Sequence, residues 1–242
     1  MFGLPFEYFD QSVTRYGFHG LSYEFIASVL PEYLAELADG RVIVAHLGNG
    51  TSLCAMRRHQ SVATTMGFTA LDGLLMGTRC GNIDPGEILY LINEKKLSSQ
   101  QITDLLYRRS GLLGISGLSA DKRELLTSDS QLAAEAIEVF VYGTARQFGG
   151  LIATLGGLDA LVFTGGISAH SAPIRQRICE ASEWAGIKLN HDANMIQGPR
   201  ISADGSMVSV WVIPTDEERI VASHALELIA SGSRRSTNPS MA

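Results

Sequence analysis

Cysteine, charge and long apolar runs are all scarce in this chain. The three cysteines, Cys54, Cys80 and Cys179, lie far apart and form no CxxC pair. That excludes a disulfide framework and a four-cysteine metal site, and scattered thiols of this kind read as reduced and structural. Cys80, directly after Arg79, is the one candidate for a reactive thiol. Only 18% of the 242 residues are charged, 19 basic against 25 acidic, for a net charge of −6. Nucleic acid and anionic membranes reward a basic face, so neither is expected as a partner. No apolar run is long enough to cross a bilayer. Residues 1–10 have neither a basic start nor a long apolar stretch, so no secretory leader is expected and a cytoplasmic location is. A nucleotide-binding lysine loop of the GxxxxGK type is also missing, and so is GxGxxG.

Glycine and apolar residues are plentiful: 25 glycines, and 45% hydrophobic residues. This length and composition bury the core of one large domain, or of a domain and a half. Apolar spacing predicts a helix over 22–37, with Pro31 a possible kink. Residues 41–47 (RVIVAHL), 52–57 and 60–65 read as three strands in an antiparallel meander. Asp84-Pro85 starts a helix to about Lys95, Ser98 one to about Arg109, and Ser119 a short one. A long helix follows over 131–155. Then come a buried strand (159–164, DALVFT), a helix (171–185) and a last strand (206–213). Thr215 is expected to cap a final helix over 216–230, with Glu218 in a capping box. The expected fold class is α/β, with a mixed sheet in βββαβαβα order and inserted helices. Residues 1–20 form a start segment, 21–215 the main domain, and 231–242 a disordered tail.

Three glycine-rich turns stand where strands should end: HLGNGTS at 46–52, SGLLGISG at 110–117 and FTGGI at 163–167. Glycine lets a backbone approach a phosphate and point its N–H groups inward. The first is either a plain type I′ hairpin turn or a phosphate loop, with His46 before it and Thr51-Ser52 behind. The third has the strand–turn–helix context of a nucleotide site. Arg79 sits between Gly77 and Gly81 after an apolar Leu74-Leu75-Met76. A guanidinium placed there suits charge on a transferring phosphoryl group. His19, between Phe18 and Gly20 before a helix, is either structural or a donor to such a group. Asp216-Glu217-Glu218 at a helix start either answers the helix dipole or reaches Mg²⁺.

Together RYGFHG, AHLGNG, MGFTALDGLLMGTRCGNIDP, SGLLGISG, FTGGI and IPTDEE closely resemble the acetokinase family, in its order and at similar spacing, over about residues 4–228. The resemblance implies an RNase H-like, actin-like ATPase domain of the acetate and sugar kinase/Hsp70/actin superfamily. It implies Mg²⁺-dependent, in-line transfer of the ATP γ-phosphoryl group to acetate, giving acetyl phosphate and ADP, in a homodimer. His19 and Arg79 match the family's transition-state stabilisers. His46, Leu47, Gly48, Asn49 and Gly50 match its phosphate-contacting loop. Asp121, Lys122 and Arg123 match a segment against the adenosine, and Gly166, Ile167, Ser168, Ala169 and His170 the adenine-side loop. Glu217 matches the carboxylate that helps hold Mg²⁺.

The chain departs from the family at two places. Ile167-Ser168-Ala169-His170 stands where the family reads GIGEN after its glycine, which adds a side chain at 168 and removes a carboxylate at 169. Lys122 stands where the family has a hydrophobic residue. The family also carries an N-terminal domain before the point matching Leu4, with further phosphate, substrate and Mg²⁺ contacts and a catalytic aspartate. Activity of this chain by itself is therefore expected to be impaired. Its last helix is expected to lose cover at Ile220, Val221, Leu226 and Ile229. The alternatives are a nucleotide-binding or dimerisation module without catalysis, and a propionate or butyrate kinase.

Overall fold

Residues 41–47 form the centre of the molecule because both faces of this strand are apolar. Ile43, Ala45 and Leu47 face one way and Val42 and Val44 the other, all buried. A strand covered on both faces is the mark of a parallel α/β core. The computed structural model describes residues 1–166 and 171–235. Its sheet has the order β3-β2-β1-β4-β5, built from β1 (Arg41–Leu47), β2 (Thr51–Arg57), β3 (Gln60–Thr64), β4 (Ala160–Thr164) and β5 (Ser209–Val212). β1, β2 and β3 are the expected antiparallel meander, while β4 and β5 run parallel to β1.

Helices cover both faces. A short α1 (Phe6–Asp10) precedes α2 (Gly20–Leu34), which packs on Val42, Val44 and Val162. Pro31 lies inside α2, and the chain continues as a 3₁₀ turn, Ala35–Asp39. On the opposite face α7 (Gln131–Leu155) runs over Ile43, Leu161 and Phe163 with Phe140, Phe148 and Leu151. The long helix has the predicted limits. Between β3 and α7 lie α3 (Pro85–Asn93), α4 (Ser99–Arg108), α5 (Gly111–Ser116) and α6 (Lys122–Leu126). α3 has Asp84 as its cap and Pro85 in its first turn, and α4 has a full Ser98/Gln101 capping box.

Several expectations are corrected. SGLLGISG does not end a strand; it is the helix α5. Its first turn is stitched to the Arg79 loop, Ser110 N–H to Thr78 O (3.1 Å), Leu112 N–H to Met76 O (2.9 Å) and Leu113 N–H to Gly77 O (2.9 Å). Gly111 has φ +67, and a side chain there would overlap Met76 O. Asp121 rather than Ser119 caps α6, accepting from Arg123 N–H. Among the described residues the next full helix after β4 is α8 (Ala172–Glu180), which gives way to a 3₁₀ turn at Glu183–Ala185.

A further short helix, α9 (His191–Met195), was not anticipated, because too few residues separate its cap Asn190 from its end for a period to show. The enclosed Arg175 holds it, donating to Asn194 Oδ1 at 2.8 Å and to Asn194 O at 2.6 Å. The last helix is α10 (Glu217–Arg235), which runs five residues past the end its spacing predicts. Asp216, not Thr215, takes its cap: Oδ1 accepts from Arg219 N–H at 3.0 Å, while Thr215 Oγ1 is buried without a partner among the described residues. α10 lies on α2, joined by His224 Nε2 and Glu24 Oε1 at 2.7 Å. Ile220 is therefore buried, contrary to expectation, while Val221, Leu226 and Ile229 stay exposed.

Candidate active site

Because β1, β4 and β5 are parallel, their carboxyl ends share one edge of the sheet. Ligands of open α/β sheets bind at that edge. His46 and Leu47 end β1, Thr164 ends β4 opposite His46, and Glu217 follows β5 by five residues.

The Gly48-Asn49-Gly50 connection has no residue with positive φ, which rules out a type I′ turn. Its glycines serve close approach instead. A Cβ on Gly50 would sit 2.8 Å from His19 Nε2 and 3.9 Å from Arg79 Nη1. A Cβ on Gly48 would stand 3.5 Å from His46 Nε2. Gly165, at φ +85, has room for no side chain between Leu47 O (3.0 Å) and the His46 ring (3.2 Å). His19, His46, Arg79 and the first and third glycine turns thus meet at one place.

His19 occupies the residue before α2 in the left-handed region, φ 61, a conformation that is costly for a non-glycine residue and clusters at functional sites. Its ring stacks on His46, centroids 4.2 Å apart and 13° from parallel. Each histidine is held by a hydroxyl at Nδ1: His19 by Ser52 Oγ (2.7 Å) and His46 by Ser22 Oγ (2.9 Å). Tyr23 OH bonds Ser52 Oγ in turn. Burial, and then His19, push His46 down to about 4. Burial, and then Arg79, also lower His19 below the usual histidine value. Both rings are therefore neutral imidazoles at neutral pH.

Arg79 is half-buried, and its Nη1 donates to Ala70 O at 3.1 Å. It makes no ion pair with any described carboxylate. A partly desolvated guanidinium without a protein anion is a ready site for a ligand anion. Its loop is rigid: Thr78 Oγ1 donates to Tyr107 O at 2.8 Å, and Asn82 N–H to Gly73 O at 2.8 Å. Burial raises the neighbouring Cys80 thiol above its ordinary value, the opposite of an activated nucleophile.

The remaining predicted residues are less uniform. Asp121 and Arg123 pair with each other at the surface. Lys122 is enclosed by protein: it is 0% exposed, with Nζ 4.2 Å from the centre of the Phe140 ring. Glu217 is half-exposed at the first turn of α10. Among the described residues no group of three His, Cys, Asp or Glu side chains is arranged to hold a metal ion. Of the five residues expected against the adenine, Gly166 is described, while Ile167, Ser168, Ala169 and His170 lie outside the described residues. The sequence reading missed Ser22 and Tyr23, and gave Ser52 only as a hydroxyl behind the 48–50 turn, not as the partner of His19. Their signal was register: Ser52 faces His46 across the hairpin, and Ser22 and Tyr23 lie one turn after His19.

The Acetokinase family model matches residues 1–223. The acetate kinase of Rhodopseudomonas palustris is 58% identical over 234 residues, covering 96% of this chain and 59% of the relative. That of Methylocella silvestris is 55% identical over 229 residues, covering 95% and 57%. The crystal structure of Porphyromonas gingivalis acetate kinase superposes with a TM-score of 0.88 at 34% identity, over 95% of this chain and 59% of that one. A propionate kinase from Francisella tularensis gives 0.86 at 37% identity, over 91% and 58%. The chain thus spans 57% to 59% of the length of these acetate kinases. A match across nearly all of its own length, in sequence and in fold, places the chain in the acetokinase family.

Proposed function

We propose that this chain supplies the phosphoryl-stabilising half of an acetate kinase, which transfers the ATP γ-phosphoryl group to acetate and releases acetyl phosphate and ADP. The observation that carries the reading is the convergence of His19 Nε2 and Arg79 Nη1 on Gly50, at the carboxyl edge of the sheet. Phosphoryl transfer is mainly positioning plus stabilisation of charge on the equatorial oxygens. A neutral imidazole donor and an unpaired guanidinium suit that charge. The 48–50 turn comes close enough to contact the phosphates, and Gly165-Gly166 opens the adenine side. Asp121 and Arg123 border the adenosine, while Lys122 acts only from beneath.

Mg²⁺ binds through one or two carboxylates plus substrate phosphates and keeps several waters. The half-exposed Glu217 fits that mode as this chain's contribution. Bound there, the ion would neutralise phosphate charge. A homodimer in the cytoplasm goes with the reading. Apolar residues exposed on α3 and α7, among them Leu89, Tyr90 and Tyr142, support pairing, and no helix among the described residues is long and apolar enough to cross a membrane.

The test is ATP-dependent acetyl phosphate formation, trapped as the hydroxamate. It is run on this chain alone and on the chain joined to the N-terminal part of a relative. Turnover is expected in the joined form, with Arg79→Ala lowering it about 10²-fold or more. A joined form that binds ADP but never turns over would favour a nucleotide-binding or dimerisation module. The likeness to a propionate kinase favours propionate as a second acceptor. The ratio of kcat/KM for the two acids decides between them.

A further inference from the structure

We propose that Tyr23 and Ser52 are positioning residues that fix His19 as the Nε2–H tautomer, so that it presents a proton, not a lone pair, at Gly50. The inference uses the reading of this place as a phosphoryl-transfer site only for its consequence, since the tautomer itself is a property of the free chain.

Proton bookkeeping decides the direction. Three groups form a line: Tyr23 OH, Ser52 Oγ and His19 Nδ1. Ser52 is 0% exposed and has one hydroxyl hydrogen. Tyr23 is also buried, and Ser52 is the one hydrogen-bond partner its hydroxyl has among the described residues. If Tyr23 donates to Ser52, Ser52 donates to the Nδ1 lone pair. Every donor is then satisfied, and the imidazole proton sits on Nε2. If the line ran the other way, Nδ1–H would donate to Ser52, and Ser52 to the Tyr23 oxygen. The buried phenol hydrogen would then have no acceptor; if Ser52 instead accepted from both neighbours, its own hydrogen would have none, and either costs more than an ordinary hydrogen bond returns. Burial also pushes Tyr23 ionisation far up, so the phenol remains a donor across the working pH range.

The ring has no freedom to escape this choice. His46 covers one face in a stack, and Tyr23 meets it edge-on at 6.4 Å. Burial and Arg79 keep His19 neutral, which is the state in which a tautomer exists. With its proton on Nε2, His19 cannot take a proton from an incoming carboxylic acid there. It can donate a hydrogen bond to an equatorial phosphoryl oxygen, beside the charge of Arg79. Acetate is already ionised at neutral pH, so the reaction needs no base at this point.

The experiment is long-range ¹H–¹⁵N correlation of the imidazoles in the 242-residue chain at neutral pH, with His19→Asn used to assign the His19 signal. The expected result is His19 as Nε2–H, its Nδ1 at the shift of an unprotonated, hydrogen-bonded nitrogen. Ser52→Ala removes the donor at Nδ1 and should lower the tautomer ratio about five-fold, the factor that one net hydrogen bond supplies. Tyr23→Phe is nearly isosteric; it removes the donor that polarises the Ser52 hydroxyl, but the Ser52 hydrogen still needs Nδ1 as its acceptor, so it should lower the ratio by less than Ser52→Ala does. In the joined, turning-over form, Tyr23→Phe should lower kcat with KM for ATP little changed. A wild-type Nδ1–H form, an imidazolium at neutral pH, or a ratio unmoved in both variants overturns the proposal. Failure of acetyl phosphate formation would refute the functional reading and leave the tautomer result standing.

Discussion

Replacing Lys122 by methionine should stabilise the protein at neutral pH, and the gain should disappear as the pH rises. Lys122 is among the largest fully buried side chains, and its Nζ has no hydrogen-bond partner among the described residues. Burial lowers it from the ordinary 10.5 to about 8, with Asp121 opposing only in part. That difference corresponds to about 3 kcal/mol of disfavoured charge in the folded state. Attraction to the Phe140 face returns up to about 2 kcal/mol when desolvated. The net gain for Lys122→Met at pH 7 is therefore about 1–3 kcal/mol, since methionine fills a similar volume without a charge.

The pH window follows from the sign of that shift. Between 8 and 10.5 the unfolded chain holds a proton that the folded chain has lost. Stability then rises with pH across that window, because the unfolded state binds more protons. Cys54 and Cys179 are raised to about 11 and about 12 and act in the opposite direction, but they are common to both chains and cancel in the difference. Urea unfolding of both chains at stepped pH from 7 to 10 measures it. A variant less stable at pH 7, or a difference that does not shrink above pH 8, refutes the reasoning.

Gly50→Ala should lower acetyl phosphate formation in the joined form about 10²-fold, since its Cβ would stand 2.8 Å from a histidine ring that cannot turn aside; urea unfolding should register the same overlap as a loss of about 1–3 kcal/mol. Gly157→Ala should cost about 1–3 kcal/mol by thermal or urea melts, because φ is +130 and the new Cβ would overlap Arg41 Nη1. Asp159→Asn should flatten the acid limb of stability. The hydrogen bond from Arg41 first of all holds the Asp159 carboxyl below its ordinary range, so its contribution is present above about pH 4 and lost as pH falls through the folded value; unfolding midpoints at pH 3 and pH 6 check the difference.

The sheet and the long helix were legible because their signals are local and long. RVIVAHL is apolar on both faces, and 131–155 carries seven turns of helical period, so tertiary context had little to override. The glycines of 110–117 misled for a physical reason. Glycine signals a place where a side chain cannot fit, and it says nothing of whether the excluded neighbour is a phosphate or the chain itself. Gly50 excludes a side chain from a histidine and an arginine; Gly111 excludes one from Met76 O. Thr215 misled because Asp216 competes for the same role with a stronger acceptor, one residue nearer the helix.

The histidine pair shows most directly what sequence order hides. His19 and His46 were each ambiguous alone, since an isolated histidine beside a glycine is usually structural. What makes them a site is that α2 begins at residue 20, directly over the carboxyl end of β1, so the rings stack. The same geometry recruits Ser22 and Tyr23 from the first turn of α2 and Ser52 from the strand beside β1. Ser22 and Tyr23 carry no motif of their own, and HLGNGTS, which ends at Ser52, says nothing of a contact with His19. Two neutral imidazoles, each tied at Nδ1, then leave Nε2 of His19 directed at the space that Gly50 keeps open for Arg79. A functional reading of the chain therefore rests less on which residues it contains than on the register that brings Ser52 opposite His46. A one-residue slip of that hairpin would turn Ser52 to the other face and leave His19 without its partner.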